Sequence, residues 1–341
     1  MVQTSLETTA PPQAGIMEIA SGAMLAHALG LVANLKIADA IGDGEKHVDE
    51  LAASTGSHVR SLYRVLRSLA SFGVFDERSR GVFANTPMSQ TLSSDAVGSM
   101  RDTVLFMTAP WHDDVFSNML HSVKTGESAW SQTHGMEVFE WFVRHPDESE
   151  LFNRCMTELS TGAAPPIVGA YDFSDIQTLA DIAGGHGYLL TQILKANPSL
   201  QGILFDQEHV IDGAGPLLER EGVADRVQTF SGDFFKEVPA ADAYLMKHII
   251  HDWDDERSIK IMKTIHRSMP GNGKLLLAEM VVPEGNEPHS SKILDLEMLV
   301  SPGGIERTET EYAQLFEAAG FKLNRIIPTR SPFSIIEAVK A

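Results

Sequence analysis

Beyond residue 170 the chain alternates short, mostly apolar runs with longer stretches in which apolar side chains return every three or four positions. The runs predict strands over 179–182, 202–206, 226–230, 241–246 and 274–278, and the periodic stretches predict helices over 188–196, 255–269 and 309–319. Buried strands that alternate with helices belong to a parallel sheet covered on both faces. Two further strands, 321–327 and 333–339, flank a turn containing Pro328 and Pro332 and complete a seven-stranded sheet with an antiparallel hairpin at its edge. The predicted fold class is α/β.

The chain upstream reads differently. Residues 16–41 carry Met17, Ala20, Met24, Leu25, Leu29 and Leu35 at helical intervals. Helices predicted over 49–55 and 57–72, then a small hairpin from Gly73-Val74-Phe75 and Val82-Phe83, give 48–85 the outline of a winged helix-turn-helix. Residues 1–15 are assigned to a polar, Thr- and Pro-rich tail expected to be disordered, 16–100 to a helical domain, 101–170 to a helical linker rich in aromatic and Met residues, and 171–341 to the sheet domain. No stretch is expected to cross a bilayer, no signal peptide is read, and a cytoplasmic enzyme is the expectation. Cys155, the single cysteine, excludes an internal disulfide framework and is expected to be buried.

Composition decides one ambiguity. Arg60, Arg64 and Arg67 recur at helical spacing where a recognition helix would lie, so a DNA-binding regulator is one reading. Against it stand 27 Lys plus Arg and 46 Asp plus Glu, a net charge of −19 that repels phosphate.

The candidate chemistry sits at the strand ends. The first strand of the sheet runs into Ala183-Gly184-Gly185-His186-Gly187, a turn whose φ values glycine adopts at little strain and whose missing Cβ atoms admit a ligand to the backbone. A dinucleotide fingerprint is not met, because Gly185-His186-Gly187-Tyr188-Leu189-Leu190 puts Leu where its third glycine stands. Asp206, about 20 residues on, is placed to bind ribose hydroxyls. Asp233 beside Phe234 suits an adenine, the acid for the exocyclic amine and the ring for the base. Lys247 to Asp255 follows the fourth strand with Lys, two His and four acids or aromatics. Open α/β sheets bind ligands at this carboxyl edge. His248, His251 and Asp252 lack a distant third ligand cluster, so no metal is assigned.

With Phe205-Asp206-Gln207-Glu208-His209-Val210-Ile211, His251-Asp252-Trp253 and Gly303-Gly304-Ile305-Glu306-Arg307-Thr308 added, the chain from about residue 16 onward resembles the S-adenosylmethionine-dependent O-methyltransferases of the caffeic acid and acetylserotonin type. The resemblance implies a class I methyltransferase sheet with an N-terminal winged-helix-like dimerisation domain, and a homodimer. It assigns Ala183, Gly184, Gly185 and Gly187 to the methionine end of the cofactor, Asp206 to its ribose, Asp233 and Phe234 to its adenine, and Lys247 to a further cofactor contact. Ala183 stands where the family usually has a first glycine. His251 matches the catalytic base, with Glu279 at the end of the fifth strand and Glu306 as its flanking acids.

Those residue types fit methyl transfer. The electrophile comes activated on the sulfonium, so the protein supplies alignment and a base. A phenol titrates near pH 10 and an ordinary His near 6.5, a gap of roughly 4.8 kcal/mol that favours proton removal as attack proceeds over prior ionisation. The bland alternative gives His251-Asp252-Trp253-Asp254-Asp255 the role of a helix cap, for which Asp254 or Asp255 suffices without the His. Phe152 and Met156, one helical turn apart, with Met298, Met107 and Trp111, are the candidate walls of a pocket for a small aromatic hydroxyl. Some relatives keep the cofactor and hydroxylate or decarboxylate instead, an alternative reaction on the same fold.

Overall fold

A computed structural model of the chain describes residues 11–341. They fall into two compact units, one formed by the chain up to Asp113 together with Glu150–Glu158, the other by Asp114–Ser149 and Leu159–Ala341. Residues 101–170 are thus divided between the two units and do not form one of their own.

The first unit starts with α1 (Pro12–Asn34), then α2 (Ile37–Ile41), β1 (Glu45–His47), α3 (Val48–Thr55), α4 (Val59–Ala70), β2 (Phe75–Ser79), β3 (Val82–Asn85), α5 (Pro87–Gln90) and α6 (Arg101–Met107). The hairpin extends beyond the predicted one, and β1 joins it in a three-stranded sheet of order β1-β3-β2. Helix α1 begins at Pro12, inside the segment assigned to the tail, because proline's fixed φ suits the first turn of a helix. The rest of that assignment, residues 1–10, lies outside the described residues. Leu51, Leu62, Leu66, Leu69, Phe75 and Phe83 form the core. Against the expectation from sequence, α1 is long and apolar enough to cross a membrane by length and composition. Ile16, Met17, Ile19 and Met24 on it are between 65% and 80% exposed.

Five helices follow: α7 (Pro110–Ser117), α8 (Met119–Thr125), α9 (Ala129–His134), α10 (Val138–Arg144) and α11 (Pro146–Ala170). Cys155 on α11 is buried. The second unit then builds the α/β domain from β4 (Thr178–Ile182), α12 (Tyr188–Ala196), β5 (Gln201–Asp206), α13 (Glu208–Ile211), α14 (Gly215–Arg220), β6 (Val227–Ser231), β7 (Ala243–Lys247), α15 (Asp255–Ser268), β8 (Lys274–Met280), α16 (Ser290–Val300), α17 (Glu309–Ala319), β9 (Phe321–Pro328) and β10 (Phe333–Lys340). The sheet order is β6-β5-β4-β7-β8-β10-β9; the strands from β6 to β8 are parallel, and β10 runs antiparallel to both of its neighbours, forming with β9 the edge hairpin that the pattern of the chain predicts.

Alternate side chains of each strand feed two cores. Leu179, Leu204, Leu245, Leu276 and Ile335 face α12 residues Leu190, Ile193 and Leu194 on one side. Ala180, Ile203, Tyr244, Leu277 and Ile336 face Ile261, Ile265, Tyr312 and Phe316 of α15 and α17 on the other. With both faces covered, the functional groups gather at the exposed carboxyl edge of the parallel strands.

Candidate active site

The glycine turn leaves β4 through three residues in the left-handed region, Ala183 (φ 56°), Gly185 (φ 61°) and Gly187 (φ 84°). The Ala183 N–H donates to the Phe205 carbonyl at 2.7 Å, which pins the turn to β5. The glycines have different uses. A Cβ on Gly184 would lie 2.6 Å from the Asp181 carboxyl and 2.7 Å from Leu204, so that glycine makes room for protein; at Gly185 nothing lies within 4 Å, and the open side there is the one a ligand can approach.

Asp206 is placed as expected at the end of β5. Its Oδ2 accepts the Gly185 N–H at 2.8 Å and its Oδ1 the Gln207 N–H at 2.7 Å. Burial nevertheless raises its carboxyl above the usual range. Asp233 accepts the Phe235 N–H at 2.9 Å and pairs with Lys236 at 3.1 Å. Burial works to raise it, but these partners hold it below the ordinary value. Phe234 stands edge-on to Phe235 at 4.9 Å and to Trp253 at 6.1 Å.

Lys247 ends β7 with an ammonium that makes no ion pair or hydrogen bond among the described residues. Burial lowers its pKa, while Asp181, Glu279 and Asp252 act to raise it. Asp181, to which no role was given from sequence, is 2% exposed and is pushed up to about 7 by burial. A half-buried lysine without a bonded partner among the described residues, an approachable glycine backbone and an Asp at the end of β5 are of the types that suit the amino-acid and nucleoside ends of S-adenosylmethionine.

His251 lies in a short 3-10 turn, Ile250–Asp252, and is 4% exposed. Its Nδ1 lies 2.5 Å from Glu306 Oε1 and 3.9 Å from Glu279 Oε2, and its Nε2 lies 3.4 Å from Asp252 Oδ1. The two glutamates have unequal tasks. Glu306 bonds the ring. Glu279, a residue inside β8 and not beyond its end, accepts the Ile249 and Ile250 N–H groups at 3.1 and 3.0 Å and so ties the turn to the sheet. Burial, joined by the charge of Asp295 and opposed by Arg307, pushes Glu306 up to about 8; burial also raises Glu279, and Asp252 to about 7. Asp254, not His251, caps α15 by accepting the Arg257 N–H at 2.8 Å.

Four side chains around this centre have buried polar atoms with no hydrogen-bond partner among the described residues: Glu279 Oε2, Glu306 Oε2, His248 Nε2 and the Tyr312 hydroxyl. Ligand atoms of His248, His251 and Glu279 come within 4.8 Å of one another. The two imidazoles stack at 4.3 Å and 19°, however, so their in-plane lone pairs run side by side and do not converge on one ion. Burial holds His248 well below its ordinary pKa, in the neutral form.

Of the candidate pocket walls, Met298 belongs to the same unit as His251; it is buried on α16, and its carbonyl accepts the Gly303 and Gly304 N–H groups at 2.9 and 3.0 Å. Met107, Trp111, Phe152 and Met156 lie in the first unit. There the Phe106 ring stands 5.6 Å from Trp111 and 5.7 Å from Phe152, Met156 is half-buried, and Met107 is exposed.

Sequence reasoning also passed over Arg307, which is 1% exposed and bonds around the His251 turn. Its signal was available: it adjoins Glu306 in a quoted motif, and a buried guanidinium always needs acceptors.

Comparison with known proteins identifies the family. Residues 116–322 match the O-methyltransferase domain family and 17–95 the O-methyltransferase dimerisation domain family. A phenazine O-methyltransferase of Lysobacter antibioticus is 42% identical over 339 residues, covering 99% of either chain. The crystal structure of LaPhzM superposes with a TM-score of 0.92 at 42% identity, covering 97% of this chain and all of the other. CalO1, a methyltransferase of calicheamicin biosynthesis solved with S-adenosylhomocysteine, superposes with a TM-score of 0.87 at 35% identity, covering 96% and 98%. The chain belongs to the S-adenosylmethionine-dependent O-methyltransferases that carry an N-terminal dimerisation domain.

Proposed function

We propose that this O-methyltransferase uses His251 as general base on a hydroxyl of a fused aromatic acceptor of the phenazine kind. The observation that carries the base assignment is the buried His251–Glu306 pair at 2.5 Å on the carboxyl edge of the sheet. The acceptor class rests on the 42% identical phenazine O-methyltransferase, aligned over nearly the whole chain.

S-adenosylmethionine, when bound, supplies a methyl group already activated on a positive sulfur. Gly185, Asp206, Asp233, Phe234 and Lys247 are the residues that would hold it. The remaining work falls to His251. With Nδ1 engaged by Glu306, the ring is fixed in orientation and Nε2, which has Asp252 Oδ1 at 3.4 Å, is the atom that takes the acceptor's proton as its oxygen attacks. Glu306 then stabilises the imidazolium, and Glu279 keeps the turn on β8. Met298, in the same unit as His251, is proposed to wall the acceptor, a soft sulfur atom being suited to an aromatic ring.

The working form is proposed to be a cytoplasmic homodimer. The dimerisation-domain match covers 17–95, and the outward apolar side chains of α1 gain burial if a second copy covers them. Light scattering of the purified chain tests this: a monomer at micromolar concentration contradicts it.

The activity test is transfer of labelled methyl from S-adenosylmethionine to hydroxyphenazines, flavonoids and simple phenols, with His251→Ala alongside. Labelling of a hydroxyphenazine, reduced by roughly a thousandfold in a folded His251→Ala protein, is the expected result. Undiminished transfer by the variant refutes the base; transfer to simple phenols alone refutes the acceptor class.

A further inference from the structure

We infer that Arg307 is a positioning residue of the methyl-transfer reaction, which sets the distance between His251 and Glu306 by gripping the backbone on both sides of His251. The inference rests on the assignment of His251 as base.

The turn that carries His251 is held within itself by long bonds, the Trp253 N–H to the Ile250 carbonyl at 3.3 Å among them, and Ser258 Oγ reaches the Ile250 and Trp253 carbonyls at 3.3 and 3.2 Å; the rest of its peptide groups look outward for partners. Its N–H side hangs on Glu279. Its carbonyl side hangs on residues 304–307: the Ile305 N–H donates to the His251 carbonyl at 2.8 Å, Arg307 Nη1 to the Ile250 carbonyl at 3.1 Å, and Arg307 Nη2 to the Trp253 carbonyl at 2.8 Å. The same guanidinium reaches Ser258 Oγ at 3.4 Å and Asp255 Oδ1 through Nε at 3.1 Å and Nη2 at 2.8 Å, so it also fixes the first turns of α15. It returns to its own segment through Nη1 and the Ile305 carbonyl at 3.2 Å.

All three guanidinium nitrogens are engaged, a planar fork that Lys cannot reproduce with one ammonium. The residue before Arg307 is Glu306, the partner of the His251 ring. One side chain therefore docks the segment bearing the carboxylate against the segment bearing the imidazole, across 55 positions of sequence. The fit is close: a Cβ on Gly304 would lie 1.9 Å from the His251 carbonyl oxygen, so glycine there is a condition of the approach. Loss of the fork leaves the Ile305 to His251 backbone bond but removes the side-chain grip on the Ile250 and Trp253 carbonyls, and misplacement by about 1 Å is enough to reduce turnover by two orders of magnitude.

The test compares wild type, Arg307→Lys, Arg307→Met, His251→Ala and, as a purely structural control, Glu337→Gln. A proton in the 2.5 Å His251–Glu306 bond gives a far-downfield NMR resonance, assigned by its absence in His251→Ala. That signal needs no acceptor. We expect Arg307→Met to lose it and to lower kcat about 100-fold on a hydroxyphenazine, with KM for S-adenosylmethionine within about threefold of wild type. Arg307→Lys, which keeps the charge and not the fork, is expected to fold and to lose about tenfold. Glu337→Gln is expected to keep both signal and kcat while melting lower.

Retention of the resonance and of kcat per folded site in Arg307→Lys and Arg307→Met overturns the proposal, as does a loss that only follows melting temperature as in the control. If Arg307→Met does not fold, Arg307→Lys decides. Full activity in His251→Ala instead defeats the base assignment, and the resonance still reports whether Arg307 sets the pair.

Discussion

Two buried carboxylates on adjacent strands of the sheet have opposite surroundings. Glu337 on β10 accepts the Tyr171 hydroxyl at 2.5 Å, the Arg325 guanidinium at 3.1 and 3.0 Å, and the Asn324 amide. Burial works to raise its pKa, but those donors outweigh it and hold the group below the ordinary carboxylate range. Glu279 on β8, facing the other side of the sheet, has no cation bonded to it, keeps one oxygen without a partner, and is raised by burial. Glu306 resembles Glu279 in this, with one oxygen on His251 and the other unbonded. The satisfied cluster holds the fold together, and the unsatisfied one is where a reaction can be driven, because groups left short of partners in a dry site respond to a nearby proton or charge.

The largest expected effect tests this division directly. Glu306→Gln keeps the size of the side chain and removes the carboxyl that orients His251 and can balance its imidazolium, and is expected to lower kcat by about 100- to 1000-fold without lowering the melting temperature at neutral pH. Glu337→Gln is expected to do the reverse, removing charged hydrogen bonds worth roughly 2–3 kcal/mol of stability while leaving turnover per folded enzyme intact. Steady-state kinetics beside thermal melts decide it; a Glu337→Gln protein with normal stability and lost activity would break the comparison.

Next in size is the pH dependence of stability, where the two clusters carry opposite signs. A carboxyl depressed by folding, as Glu337 is, contributes stability above its unfolded pKa and loses it as pH falls through the folded value. Carboxyls raised by folding, as Glu306 is to about 8 and Asp252 to about 7, bind more protons in the native state, so the stability they contribute is present at low pH and is lost as pH rises through those values. Without ligands, the enzyme is expected to lose stability from about pH 5 to 8, and Glu306→Gln is expected to flatten that fall. Melting curves that stay parallel across the range contradict the assignment.

Glu279→Gln sharpens the distinction within the active cluster. Its amide oxygen can still accept the Ile249 and Ile250 N–H groups, so the turn stays on β8, and a loss of about tenfold in kcat is expected, smaller than for Glu306. A loss equal to that of Glu306→Gln would mean that Glu279 acts on the ring across its 3.9 Å gap.

The family resemblance singles out Glu279, but the residue pattern alone does not distinguish it from Glu337. Each is an acid set in an otherwise apolar strand, and that pattern says only that a partner is needed. The partners lie far along the chain, Tyr171 at 166 positions and Glu306 at 55 from His251, and are fixed by packing. Local signals were more legible. Helix α17 has the predicted ends, Glu309 and Ala319, because Thr308 and Glu311 form a capping box and Gly320 takes the left-handed cap. The three-residue strand β1 was missed, since Glu45-Lys46-His47 has no apolar alternation to show it and is defined by pairing with β3. Arg307 was passed over although it adjoins Glu306, because its burial and its acceptors, three backbone carbonyls with Asp255 and Ser258, are set by packing.

The smallest effect concerns strain at the same edge. Ala183 and His248 are the two non-glycine residues of the second unit in the left-handed region, both at strand ends beside the site; the Glu337 cluster contains none. An alanine there is strained by roughly 1–2 kcal/mol relative to right-handed conformations, whereas glycine is not. Glycine also gives the unfolded chain more freedom, which offsets about 0.4–1 kcal/mol of the relief. Ala183→Gly is therefore expected to stabilise the enzyme by about 0.5–1 kcal/mol and to leave the Ala183 bond to Phe205 in place, since the N–H is unchanged. Chemical denaturation measures the gain. If stability rises and affinity for S-adenosylmethionine holds, the strain is incidental to binding; if affinity falls while stability rises, the alanine's left-handed conformation is part of how the turn is kept ready for its ligand.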